Sequence, residues 1–495
     1  MVDLETGDDA AEPPLRDPAE TQLQLFITLW VMAFSFHFFE STPFDAWPVI
    51  LAGIPCLLLP GSLVAPAAFL VVSTGVVTMN LPAASNHLVL ALMVNLALGG
   101  AAIAALIVRR RTGAGRQESL DRWLQLVFTP VALTLMVVYF FGVFHKLNTS
   151  FFNPDVSCAG SLLRQGLSLQ GISRAEIPGG IIVVSAVLTL VWEALILICL
   201  AVPRLRRWGI LIGVLFHFLL TWSQFYDFAT FVFALYVLLL PRESFGRISN
   251  PDRWRSLAIA GWMISAGLSI AAHLSGSPTS PMGLRWHTIK VIFWMVAVMP
   301  IMLPLLKVSF FGDGPSAPRD WRRRPAWLLV VPLVAFFNGS TAYLGLKTVA
   351  NYSMFSNLRT EEGRTNHLIA GVSALEVTGI LRDTVDVHDL RFAEFDLGPL
   401  AQAQGDVFRL RRQTRWAKED TTVRIPWLEL RRAANLWKSA GLENVYVDYT
   451  HNGVRRELAN ATADPVLAAP LPVPTRLLQA FREIERGDNP VRCRW

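Results

Sequence analysis

Three short stretches of this chain carry side chains able to move a proton inside an apolar surrounding. In YFFGVFHKLNTSFFNPDVSCAGS (139–161) an apolar helix runs into His145-Lys146, and the aromatic run continues beyond the lysine as Leu147, Phe151 and Phe152. An ionisable group at lipid depth is costly and marks a functional site by default; the plain alternative is an anchor whose stem snorkels to the interface. Desolvation disfavours an ammonium, so a lysine held away from water becomes a usable base. The second stretch is Asn86-His87, at the head of an apolar run; its plain reading is a histidine facing the headgroups. The third is Glu193 with His217, on consecutive apolar runs flanking a short basic turn at 203–207. Each lies about ten residues from that turn, so at ~1.5 Å per residue both stand ~15 Å above it, near the bilayer middle. Contact between the two is expected, and a buried pair that fixes helix register is the plain reading.

Other ionisable groups read more simply. His37 in FSFHFFE looks like a histidine packed on an aromatic surface, and Glu40 like an outer-surface group. Asp227 in WSQFYDFATF lines an outward cavity or caps its helix. No HExxH, Walker loop, CxxC or GxSxG motif frames a hydrolase, nucleotide or redox-thiol site. What is left is proton abstraction from a lipophilic substrate, proton-coupled transport, or a structural role.

Positioning these groups falls to a membrane body. The chain has 495 residues, 53% hydrophobic and only 17% charged, a composition outside the range of ordinary soluble domains. Apolar runs near the ~20 residues that cross a ~30 Å hydrocarbon core recur through the first 350 positions. They predict about eleven spans, at 24–41, 45–61, 63–80, 87–108, 122–147, 179–202, 208–223, 225–241, 257–274, 288–307 and 327–346. Prolines 55, 60 and 66 leave the second and third open to a broken or re-entrant pair. Arginine clusters at 109–116, 204–207, 242–255 and 319–324 fall on one side if every span crosses, which makes that side cytoplasmic. The net charge of +6 is thus a topology signal and no sign of nucleic-acid binding.

The expected fold is mainly α: a polytopic helical bundle over 23–346, lying in the lipid bilayer, then a small extracytoplasmic α+β domain over 347–495. Residues 1–22 are acidic, lack a basic n-region and read as a flexible cytoplasmic tail. In the last domain, VYVDYTHNGVRREL (445–458) predicts a hairpin turning at Asn452-Gly453, and WLELRRAANLWKSAG an amphipathic helix ending at Gly441. Cys56 and Cys199 lie in apolar spans; Cys158 and Cys493 fall on the same outer side, where a bridge is open to them.

Taken in order, YFFGVFHKLNTSFF with its polar outer loop, Asn86-His87, Trp192-Glu193 and the later Arg206, Gly209 and Phe216-His217 resemble the horizontally transferred transmembrane (HTTM) family. Its best-known member type is the vitamin K-dependent gamma-carboxylase, and MFSNLRTEEGRTNH and IPWLELRR are similar to the downstream part of bacterial members. The resemblance covers nearly the whole chain. It implies a lysine base that deprotonates reduced vitamin K, reaction of the quinol with O2, proton removal from a glutamyl γ-carbon, and addition of CO2. By motif position Lys146 is that base and His87 assists, with Asn86 orienting it. His217 supports the cavity and Glu193 is a buried partner; His145 departs from the family's pattern as an additional titrating neighbour of the lysine, able to share or relay the proton. A menaquinone-type quinol is the bacterial counterpart of the cofactor, and the partners implied are that lipophilic quinone and a protein or peptide substrate on the outer side. Only about 150 residues follow the last span, against a much larger outer domain in the animal carboxylase.

Overall fold

The computed structural model describes residues 17–41, 47–82, 84–172, 177–275, 280, 285–311, 326–371, 377–392, 422–487 and 489–493. Expectations for 1–16 and for the arginine cluster at 319–324 lie outside the described residues. The helices are α1 (Pro18–Ser41), α2 (Trp47–Leu58), α3 (Val64–Met79), α4 (Asn86–Thr112), α5 (Arg116–Lys146) and α6 (Cys158–Leu169). Then follow α7 (Gly179–Ala201), α8 (Arg206–Thr221), α9 (Tyr226–Leu239), α10 (Pro251–Ser275), α11 (Trp286–Phe311) and α12 (Val330–Ser340).

Each of the eleven apolar runs forms a helix, but six (α1, α4, α5, α7, α10 and α11) are long and apolar enough to cross a membrane. The other five are shorter. Twelve residues, as in α2, rise only ~18 Å, well under a ~30 Å core. α9 has 14 residues, and the run from Ala229 to Leu239 is at most 2% exposed, so protein rather than lipid surrounds it. α1 packs along α9, while α4 with α5, α7 with α8 and α10 with α11 form consecutive pairs. Small residues permit the closest approach: a Cβ on Gly261 would lie 2.7 Å from the Ala297 backbone nitrogen, so α10 and α11 touch backbone to backbone. Exposed apolar side chains such as Ile181, Val184, Val191 and Ile198 on α7, and Leu333, Phe336 and Phe337 on α12, cover the outside. Exposed apolar surface on this scale belongs against lipid, and the chain reads as a multi-pass membrane protein.

Two boundaries differ from expectation. α1 already begins at Pro18, inside the stretch expected to be a flexible tail; proline suits the first helical turn because its missing N–H would be unpaired there. After α12, the chain from 347 does not leave the helical body at once. Tyr352 and Leu358, both fully buried, belong to the core that α1, α4, α5 and α9 build.

The separate sheet comes later, as four antiparallel strands in the order β2-β1-β3-β4: β1 (Thr384–Arg391), β2 (Val423–Pro426), β3 (Tyr446–His451) and β4 (Val454–Leu458). β3 and β4 turn at Asn452-Gly453, both left-handed at φ 51° and 75°, the geometry an Asn-Gly hairpin adopts. A thirteenth helix, α13 (Trp427–Ser439), buries Leu430, Ala433, Ala434 and Trp437 against the sheet. It stops ahead of Gly441 at φ 70°.

Candidate functional site

α5 ends at Lys146, one residue short of the expected span, and its last turns present Tyr139, Gly142 and Lys146 at i, i+3 and i+7 on one face. That face borders a cavity of about 1150 Å³. Apolar side chains from α6, α7 and α8, including Leu162, Leu188, Trp192 and Phe216, form much of its wall. Asn86, His87, Lys146, Glu193 and His217 all reach the same wall.

His145 does not. Consecutive residues on a helix diverge by ~100°, so the His145 ring turns away from the cavity. It packs against Phe141 and Tyr343, with ring centres 5.0 and 5.4 Å away.

The pairing within the cavity also departs from expectation. α7 and α8 are neighbours, yet Glu193 does not bond His217. Its two oxygens lie 2.9 and 2.8 Å from Lys146 Nζ, which also donates to the Gly142 carbonyl at 3.0 Å. Three acceptors thus meet the three hydrogens of an ammonium. A buried carboxylate needs a counter-charge more than a neutral imidazole partner, and the ammonium supplies it with the hydrogen bonds. The lysine is therefore not a lone desolvated amine. His217 Nε2 instead meets the Tyr139 hydroxyl at 2.7 Å, and that hydroxyl meets Tyr236 at 2.8 Å.

At the same end of the bundle a second cluster forms. His37, near the end of α1, has Nδ1 2.8 Å from Asp227 Oδ2 and 2.7 Å from His87 Nε2. His87 Nε2 is also 3.1 Å from Asp227 Oδ2 and 2.9 Å from Ser85 Oγ. Asn86 does not orient His87 in this geometry. Its Oδ1 accepts the Tyr352 backbone N–H at 2.6 Å and ties the 350s segment to the head of α4.

Sequence reasoning missed His37 and Tyr139 as wall residues. The i, i+3, i+7 spacing back from Lys146 could have revealed Tyr139. Nothing local marks His37, because its partners lie 50 and 190 positions away.

The segments after α5 and α12 lock together around Asn148. Its amide donates to the His145 and Ser356 carbonyls at 2.8 and 2.5 Å, and its Oδ1 accepts the Phe151 N–H at 2.9 Å. The asparagine of the Lys-Leu-Asn triplet is thus a fastener. Arg482, Glu483, Arg492 and Cys493 complete the cavity wall. Cys493 is disulfide-bonded to Cys158 at the start of α6, while Cys56 and Cys199 are free and buried.

No family model, curated protein or solved structure matches this chain.

Proposed function

We propose that this chain is an integral membrane enzyme resembling the vitamin K-dependent gamma-carboxylase. In this reading the Lys146–Glu193 pair accepts a proton from a reduced vitamin K or menaquinone-type quinol. The observation that carries the reading is a buried ammonium bonded to a part-buried carboxylate on the wall of a large, mostly apolar cavity. The residues present fit such a guest. Trp192 and Phe216, stacked with centres 6.3 Å apart, offer flat apolar surface, and polar groups gather along one side. When bound, the quinol supplies the reducing equivalents with which O2 makes a base strong enough for CO2 to add to a glutamyl side chain.

The protein's part is proton handling and exclusion of water. Lys146 Nζ is 2.8 Å from Glu193 Oε2, so the ammonium proton can pass to the carboxylate. The neutral amine left behind is the base that takes a hydroxyl proton. Glu193 becomes the proton store, a larger part than the motif position alone gave it. Tyr139, between His217 and Tyr236, presents a hydroxyl on the same helix face and is suited to orient a second oxygen of the guest. The Cys158–Cys493 bond supports an extracytoplasmic placing of the 347–493 region, because disulfides persist in oxidising compartments. The arginine clusters support a cytoplasmic N-terminus.

The test is lipid extraction from detergent-purified protein, followed by incubation with reduced quinone and labelled CO2. The expected result is a copurifying quinone and label in peptide glutamate, both lost in Lys146→Ala. Oxygen uptake without label would replace carboxylation by a quinone-dependent oxidase or epoxidase. Absence of any quinone, with proton flux in proteoliposomes, would overturn the enzyme reading in favour of a transporter. Lys146→Ala and Glu193→Gln cannot separate those two classes, since the pair acts as one unit.

A further inference from the structure

We propose that His37, His87 and Asp227 form a binding site for a divalent first-row transition-metal ion, iron(II) by donor set, on the wall of the cavity. The argument begins with one nitrogen. An imidazole nitrogen has a single in-plane direction, filled by one lone pair or one N–H. His87 Nε2 nevertheless has three polar atoms around it: Ser85 Oγ at 2.9 Å, His37 Nδ1 at 2.7 Å and Asp227 Oδ2 at 3.1 Å. One proton cannot serve three such neighbours.

The three donor atoms also close a triangle. Its edges are 2.7, 2.8 and 3.1 Å between His37 Nδ1, His87 Nε2 and Asp227 Oδ2. The two nitrogens bring at most two hydrogens to these three contacts, and an ionised carboxylate brings none. A cation above the triangle satisfies all three lone pairs at once. The edge length further selects the geometry. With ligand bonds of ~2.05 Å, neighbouring ligands stand ~2.9 Å apart at right angles and ~3.35 Å apart in a tetrahedron. The observed edges centre on the first value. Two histidines and one carboxylate on one face of an octahedron, with three positions left over, is the donor set of non-haem iron(II) sites.

Asp227 is set up for a single bond to the ion, since its other oxygen accepts the Phe228 backbone N–H at 2.6 Å. All three ligands stand on helices that meet at one end of the bundle, so the triangle is held by rigid elements. His37 and His87 both border the cavity, so the ion would lie beside it. The assignment does not rest on the quinol reading and is read out by metal content alone.

The experiment uses full-length protein purified in detergent through an affinity tag free of histidine. After chelation, it is titrated anaerobically with iron(II) and separately with cobalt(II) as a spectroscopic probe. The expected result is about one ion per chain, with the weak visible absorption of six-coordinate cobalt and a higher melting temperature. Affinity should fall by more than about 100-fold in His37→Ala and in Asp227→Asn, a loss beyond that of a second-layer contact. A native chain that takes up neither ion overturns the proposal whether or not the variants fold. Equal uptake by folded His37→Ala overturns it as well.

Discussion

At the scale of single residues, the site is governed by which charge finds which partner. Lys146 and Glu193 are side-chain exposed by only 6% and 13%, so each depends on the other. Lys146→Met would leave the Glu193 carboxylate buried with no counter-charge, at a cost of about 3–5 kcal/mol. Lys146→Met combined with Glu193→Leu should recover most of that loss, as read by thermal unfolding in detergent; additive losses would show that the pair is not coupled. Much of this was legible in the sequence. The lysine stood out because aromatic residues flank it on both sides, and His87 and Glu193 because apolar runs surround them. The partner assignments were not legible. Depth counted from a turn placed Glu193 beside His217 but gave no information on which face of α7 meets α5.

At the scale of elements, close approach depends on residues without side chains. A Cβ on Gly213 would sit 1.8 Å from the Tyr236 hydroxyl, so α8 can lie on α9 only with glycine there. Gly213→Ala should push Tyr236 out of its bond with Tyr139 and destabilise the bundle by about 1–3 kcal/mol, the range for overpacking. The shorter Tyr236→Leu side chain, added to Gly213→Ala, should recover part of that loss in the same melting experiment. An unchanged melting temperature in the single variant would contradict the packing. The helices of the eleven apolar runs were readable, and so was the hairpin, because Asn452-Gly453 has few other uses. Span count was less so. A buried core helix such as α9 and a lipid-facing helix carry the same composition, and only packing distinguishes them. α6 was hidden for the opposite reason, being a short helix in a stretch read as a polar loop.

For the whole molecule, the segment that joins helical body and sheet carries a pH dependence. Lys347 is buried at 8% exposure and donates to the Ala350 carbonyl at 3.2 Å. Burial disfavours its charged form and brings its pKa down to about 8. The unfolded chain keeps a lysine near ~10.4. Between those values the unfolded state binds more protons, so stability should rise as pH climbs from about 8 towards 10. Below that window the full cost of burying the charge is present. Lys347→Met should therefore be more stable than the native chain at pH 7 and lack the rise, as followed by unfolding across pH; identical profiles would contradict the assignment. The polar composition after 347 reads as solvent exposure, yet Tyr352 and Leu358 are buried in the helical core. Asn148, Asn357 and Asn366 instead spend their amides on buried backbone and side-chain groups.

The covalent link between Cys158 and Cys493 spans 335 positions. Its second cysteine lies on the wall of the cavity that Lys146 borders. Biogenesis must then run in two stages, insertion of the helices first and thiol oxidation afterwards. A cell compartment without an electron acceptor for those thiols would accumulate protein that is threaded through the membrane but lacks this bond.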